Sequence, residues 1–313
     1  PSIDVNCGTG TNITVWTRNN TVHRITPRRN NAVNSDWMPD SHRLNFHYLD
    51  SDARLIEPLV KSGGARHAAP ASWHAALSTA AIRLKAATPD STAIVASARM
   101  TNEELFLVRR LAEALGSPSL ALVPRNGEAD GLLIAADRNP NTTGARLVLG
   151  ANDPYAALDA IRDRVRNGEI KTLVVLGEDL VTDAGFSADD LAKPECVVLT
   201  HILANPTAKY AGVVLPAAGF TEKRGSMVNL SGRLQRLNRA TRPPGHARDD
   251  WEILRDLLAH LGADTSDLGS LQALSAALAP ALNDHTLATI GDAGVPILDT
   301  GYLIPLLEHE RAS

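Results

Sequence analysis

Short apolar runs alternate with helical stretches through the middle of this chain, and that alternation restricts the fold more than any other feature. Residues 92–97, 119–123, 132–135, 172–176, 196–200 and 211–215 are strand-like runs of mainly Val, Leu, Ile and Ala. Helical patterns occupy 72–87, 101–115 and 154–165, the last ending at Asn167-Gly168. Thr101 is a predicted N-cap with Glu104 at the reciprocal capping-box position, and Gly116 is a natural terminator. Strands that alternate with helices predict an α/β fold built on a parallel sheet. The helix expected over 249–261 starts with acids, where the helix dipole favours them, and 268–282 is a last packed helix.

The opening segment has a different character. Residues 13–16 and 22–25 are short β-rich runs joined by Arg18-Asn19-Asn20, a hairpin turn, so a small β-rich module precedes the sheet. Pro58 and Gly63-Gly64 mark its end, giving units of 1–64, 65–262 and 263–313. Residues 220–238 interrupt the α/β alternation with a Gly-punctuated hairpin. The chain opens Pro1-Ser2-Ile3-Asp4, with neither an initiator Met nor the basic-then-apolar start of a secretory leader, and is read as a piece of a longer polypeptide.

Composition excludes several roles. A net charge of −4 gives no overall attraction to nucleic acid or to an anionic membrane. No apolar run approaches the ~20 residues that span a bilayer. Two cysteines, Cys7 and Cys196, are too few for a disulfide framework and fit a reducing compartment. Cys196 lies inside an apolar run, as a buried and inert thiol would. The histidines show no His-x3-His spacing, so no zinc site is expected, and there is no Gly-x-Gly-x-x-Gly, Walker or Gly-x-Ser-x-Gly motif.

Three segments carry candidate chemistry. Asp4, Cys7, Thr11 and Pro39 stand at the x2, x3, x27 spacing of a four-cysteine iron–sulfur segment, yet only Cys7 is a cysteine. Such clusters are normally held by four thiolates; proline offers no donor and a threonine hydroxyl resists deprotonation. The segment Ser97 to Glu104 lies where a strand hands over to a helix, which suits either anion binding or an ordinary capped helix, and Gly177-Glu178-Asp179 holds the same position after a later strand. Lys223, Arg224, Arg233, Arg236, Arg239, Arg242 and Arg248 follow one another with no acid between them, as a solvated face or a contact surface would.

Taken in order, Arg24-Ile-Thr-Pro-Arg28, Val33-Asn34, Thr101-Asn-Glu-Glu104, Ala211-Gly-Val-Val-Leu-Pro216, Thr221-Glu-Lys-Arg-Gly225, Gly232-Arg-Leu-Gln235 and Pro243-Pro-Gly-His-Ala-Arg-Asp-Asp-Trp251 resemble the molybdopterin oxidoreductase superfamily. Within it, the chain most resembles the C-terminal part of the large iron–sulfur (G-type) subunit of respiratory complex I, the NADH:quinone oxidoreductase, over residues 1 to about 262. The resemblance implies a parallel-sheet domain preceded by a module with a degenerate [4Fe–4S] frame. It implies a non-catalytic structural role in the hydrophilic arm of this quinone-reducing translocase, where other subunits of the arm are its partners. It implies neither nucleic-acid binding nor direct membrane insertion, and a peripheral position on the cytoplasmic or matrix-equivalent side of the inner membrane.

Catalytic relatives in this superfamily carry a cysteine, selenocysteine or serine metal ligand after the Thr-Asn-Glu-Glu helix. Here 116–141 has no cysteine, and Ser117 and Ser119 lack the family's context. His201 stands where such enzymes carry an acid. No catalytic, cofactor-binding or metal-binding residue is therefore expected. Iron–sulfur clusters are expected only in an N-terminal portion outside this segment, and Cys7 is expected to bind nothing. The alternative function is a split molybdopterin enzyme of formate dehydrogenase type; a free-standing nucleotide-binding α/β module is a third.

Overall fold

The structure, a computed structural model, describes residues 1–63, 65 and 67–312; Gly64, half of the expected boundary marker, lies outside them. Its centre is a seven-stranded sheet in the order β5-β4-β10-β9-β8-β6-β7. The strands are β4 (Leu59–Val60), β5 (Ala69–Pro70), β6 (Thr92–Ser97), β7 (Ser119–Val123), β8 (Thr172–Leu176), β9 (Cys196–His201) and β10 (Val213–Pro216). The five from β10 to β7 are parallel, and β4 and β5 extend the sheet antiparallel.

The long strands are buried on both faces, which explains why they read as continuous apolar runs. Ile94, Leu122, Val174, Val198 and Val213 face a core shared with α2 (Trp73–Lys85), α3 (Asn102–Ala114), α4 (Thr142–Leu149), α8 (Asp250–Leu261) and α9 (Leu271–Leu278). The intervening Ala93, Val95, Leu173, Val175 and Val197 face α5 (Leu158–Arg166), α6 (Leu180–Asp183) and α7 (Ala188–Leu191).

Residues 132–135 are not a strand. Asp130 Oδ1 accepts the backbone N–H groups of Leu132, Leu133 and Ile134 at 2.8, 2.9 and 2.8 Å, removing the donors a β-ladder would use. Helix α4 is absent from the sequence-based expectations: it begins with two threonines and a glycine, a poor local start, and is held by packing against α3.

The N-terminal module is a three-stranded sheet of β1 (Ser2–Ile3), β2 (Asn12–Arg18) and β3 (Thr21–Pro27), followed by α1 (Asp40–Leu44). Asn19 and Asn20 turn the hairpin with φ of 52° and 64°, a left-handed pair that asparagine tolerates. A third sheet holds β11 (Gly225–Val228), β12 (Arg233–Leu237) and β13 (Val295–Pro296); α10 (Pro305–Ala312) follows. The β11–β12 hairpin joins two cores: Val228 and Leu234 belong to the large one, Met227 and Leu237 to the core of the N-terminal module.

Candidate functional site

In an open parallel sheet, ligands bind beyond the carboxyl ends of the strands where the strand order reverses. Here β6 is flanked by β7 and β8, so the reversal falls at the ends of β6 and β8. A cavity of about 240 Å³ lies there, lined among others by Tyr48, Arg99, Arg125, Gly177, His201 and Lys223. A wider, open cleft of about 780 Å³ sits at the other end of the same strands, beside Thr172 and Cys196, where parallel sheets do not place their ligands.

Most of the charge around the cavity is already matched. Arg125 donates to Asp183 at 2.8 Å and through both Nη atoms to the fully buried Glu178. Burial opposes the Arg125 charge, but Glu178 and Asp183 outweigh it and hold its pKa above the usual value. Lys223 Nζ lies 2.9 Å from Glu104 Oε2 and 3.5 Å from Asp250 Oδ2. Here too burial opposes the charge, and the two carboxylates more than offset it, so the Lys223 pKa is raised. Burial pushes the Tyr48 phenol up to about 12 and lowers His201, leaving both neutral near pH 7. Arg99 is exposed, and its guanidinium has no hydrogen-bond or ion-pair partner among the described residues.

The cavity falls short of the ~300–1,000 Å³ of ordinary ligand sites, so it does not fit a bis-pterin cofactor. Among the described residues no Cys lines it. Ser97 does, but the carboxylate it meets, Glu178, is already held by Arg125.

The motifs that carry the resemblance are engaged with one another. Thr101 and Glu104 form the predicted capping box, which occupies the helix N-terminus that an anion would need. Glu103 accepts from Ser226 N and Oγ at 2.8 and 2.9 Å, while Asn102 Nδ2 donates to Ser226 Oγ at 3.1 Å. Asn141 Nδ2 donates to Met100 O and Asn102 Oδ1, and its Oδ1 accepts from Val228 N. On the other side of the hairpin, Asn229 donates to Thr9 O and Gln235 to Gly10 O, both at 2.9 Å. Glu222 holds Arg54 through two hydrogen bonds of 2.8 and 2.7 Å. These buried hydrogen bonds tie the N-terminal module, α3 and the hairpin into one register, with Glu104 Oε1, Arg54 Nε and Gln235 Oε1 left as buried atoms without a hydrogen-bond partner among the described residues. Asp179 also serves locally, accepting from Val181 N as the cap of α6 and from Thr207.

The basic run is largely consumed in the same way. Arg239 pairs with Asp249, Arg248 with Asp256 and Arg236 with Asp292, and Arg233 donates to Ala293 O and Gly294 O. The acids that answer it lie outside the stretch in sequence.

The iron–sulfur frame is brought together only in part. Asp4 follows β1, Cys7 sits in the β1–β2 loop, and the third member of the cluster is His42 on α1, outside the spacing frame. One ligand atom from each lies within 4.8 Å of the others, and all three residues are buried. His42 Nδ1 is 2.6 Å from Asp4 Oδ2, while Asp4 Oδ1 accepts from Asn6 N and Nδ2. Cys7 Sγ lies 3.6 Å from Leu133 O; burial first, and the Asp4 charge second, push its thiol pKa up. With one thiol and two positions held by Thr11 and Pro39, the frame does not fit a four-thiolate cluster.

Family models agree with this architecture. Residues 134–260 match molybdopterin oxidoreductase, and residues 1–47 match the 4Fe-4S domain of NADH-ubiquinone oxidoreductase NDSU1/NuoG-like proteins. The two matches together set the class the chain is similar to, a molybdopterin oxidoreductase region preceded by a 4Fe-4S-type N-terminal domain. The second match is partly at odds with the expectation of no iron–sulfur cofactor in this segment, because the model that 1–47 resembles is that of a 4Fe-4S domain.

The chain resembles the large iron–sulfur subunit of NADH:quinone oxidoreductase. It is 25% identical to the NADH-ubiquinone oxidoreductase 78 kDa subunit of Candida albicans over 91% of this chain and 56% of that protein. It is likewise 25% identical to the G-type NADH-quinone oxidoreductase subunit of Rickettsia felis, over 84% of this chain and 55% of the relative. The chain thus spans little more than half the length of these relatives. A Staphylococcus haemolyticus protein named for formate dehydrogenase is 37% identical, but over 32% of this chain and 10% of its own. The solved structure of acetylene hydratase from Pelobacter acetylenicus shares the fold with a TM-score of 0.61 at 11% identity, covering 92% of this chain and 73% of that one.

Proposed function

We propose that this segment is a non-catalytic structural part of the large iron–sulfur subunit in the hydrophilic arm of an NADH:quinone oxidoreductase. In this reading it supports assembly, while electrons from NADH to quinone travel through clusters held outside the segment. The observation that supports it most is where the motif residues point. From Thr101-Asn102-Glu103-Glu104 to Gln235, they bind one another across three elements, and Lys223, which also lines the cavity, is held by Glu104 and Asp250. Such a network rigidifies an interface between modules, as a scaffold requires. The segment holds no [4Fe–4S] cluster and no pterin, its partners are other hydrophilic-arm subunits, and it sits peripherally on the cytoplasmic or matrix-equivalent side. Among the described residues, no helix is long and apolar enough to cross a membrane.

The test uses the whole subunit in its native complex. Asn141→Ala, which removes three buried hydrogen bonds of the network, should lower the yield of assembled complex. Arg99→Ala and His201→Ala, in the cavity, should leave NADH:quinone activity per assembled complex within about twofold, a change worth ~0.4 kcal/mol. A large loss of that activity in either cavity variant, or stoichiometric molybdenum or tungsten in the purified chain, would overturn the scaffold reading.

A further inference from the structure

We propose that Asp4, Cys7 and His42 form a site for a single divalent ion of zinc type, in place of an iron–sulfur cluster. Tetrahedral zinc bonds of ~2.0–2.3 Å set neighbouring ligand atoms roughly 3.3–3.8 Å apart. Three donor atoms gathered within 4.8 Å converge on one ion after small side-chain adjustments. A cubane asks instead for a separate donor on each of its irons. Chemistry agrees with distance, since one thiolate, one imidazole and one carboxylate form a mixed S/N/O set suited to zinc.

The surroundings fit a site better than an ordinary patch of core. Asp4, Cys7 and His42 are 2%, 0% and 6% exposed. An acid is rarely so buried unless paired, and here the partners are the His42 imidazole and Asn6, with the Cys7 thiol beside them. Asp4 Oδ1 is anchored by Asn6, which leaves Oδ2 turned toward His42 Nδ1. That division of the carboxylate between an orienting hydrogen bond and a ligand position is typical of metal sites. Cys7 has little to give up, because its contact to Leu133 O is long and that carbonyl already accepts from Thr9 Oγ1 at 2.7 Å. An open cleft bordered by Asn6, Ser41 and Arg138 reaches His42, the member of the trio nearest solvent.

On loading, the ion bonds to Cys7 Sγ as the thiol proton leaves to bulk solvent. The His42 ring proton moves from Nδ1 to Nε2, freeing Nδ1 as a ligand. No electron is transferred, so the site is structural and ties α1 to the β1–β2 loop. This inference stands apart from the scaffold reading, because an ion-tied module could belong to a protein of any activity.

The probe is Co²⁺ titrated anaerobically into the chelator-treated full chain. The expected result is one equivalent bound per chain, with a thiolate-to-cobalt charge-transfer band that Zn²⁺ displaces. Cys7→Ser should remove the band and weaken binding at least tenfold, His42→Asn should weaken binding at least tenfold, and Cys196→Ser should leave both unchanged. His42→Asn keeps a polar group beside Asp4 and so guards against misreading a folding defect in Cys7→Ser. The proposal is overturned by absence of the band, by a band lost with Cys196→Ser, by unweakened binding in His42→Asn, or by recovery of a four-iron cluster on anaerobic iron–sulfide reconstitution.

Discussion

Replacing Lys223 by Met should destabilise the chain severely. The lysine side chain is 9% exposed and stands between Glu104, 0% exposed, and Asp250, 7% exposed. Methionine fills similar volume, so packing changes little; what is lost is the cation that faces these two buried carboxylates. Breaking a buried pair by removing one partner costs about 3–5 kcal/mol. An unfolding entropy of about 2.1 cal/mol/K per residue, over 313 residues, gives ~0.66 kcal/mol for each degree if the chain melts as one unit. The expected fall in Tm is therefore roughly 5–8 °C. Differential scanning calorimetry measures it, and Glu104→Gln completes a double-mutant cycle whose coupling should be about 1–3 kcal/mol. If Lys223 instead stood ready for a ligand in the neighbouring cavity, the single variant would melt within about a degree of the parent. That result, or strict additivity in the cycle, refutes the reasoning.

Alanine at a helical glycine normally stabilises by about 1 kcal/mol, but a Cβ on Gly144 would stand 2.1 Å from both Asn102 Oδ1 and Asn141 Oδ1. Gly144→Ala should therefore lower stability, by about 2–3 kcal/mol, and a raised Tm would contradict the described network. Asn20→Val places a branched residue at φ 64° and removes two hydrogen bonds to the Arg242 backbone. Urea unfolding should show a loss of about 2–4 kcal/mol. His201 is held neutral by burial, with its pKa below the ordinary 6.5. As pH falls through 6.5 the unfolded chain takes up a proton that the folded chain refuses, so this residue's contribution to stability declines until the folded pKa is passed. His201→Gln should flatten that part of the Tm–pH curve between pH 7 and 5, and an unchanged slope would exclude the assignment.

Features fixed by near neighbours are legible in the sequence. The Asn19-Asn20 turn, the Thr101–Glu104 capping box and the runs 92–97 and 172–176 each depend on residues a few positions apart, and each stands where expected. Distant partners are not legible. The frame counted from Cys7 leads to Pro39, yet α1 turns His42 toward Asp4, 38 residues away, and no spacing rule reports that turn. The basic run has the look of a surface element because its partners Asp249, Asp256 and Asp292 follow it in the chain. Residues 132–135 have strand composition, but Asp130 captures their amides first.

The same non-local pairing gives these residues a structural task that does not depend on a bound cofactor. A residue that only meets a ligand is not constrained by the fold, whereas one whose partners lie on two other elements is, since each substitution leaves a buried group unsatisfied at about 1–3 kcal/mol. Asn141 illustrates the difference. Its amide meets Met100 and Asn102 on one side and Val228 on the other, so it holds α3 and the hairpin whether or not anything occupies the cavity. Arg99, exposed and with no partner for its guanidinium among the described residues, has no such constraint. If the scaffold reading is right, substitutions at Asn141, Glu103 and Gln235 should lower stability and assembly together, while substitutions at Arg99 should lower neither. A saturation library of the full subunit, sorted on assembled complex, separates the two groups directly; equal tolerance at Asn141 and Arg99 would break the link between network and assembly.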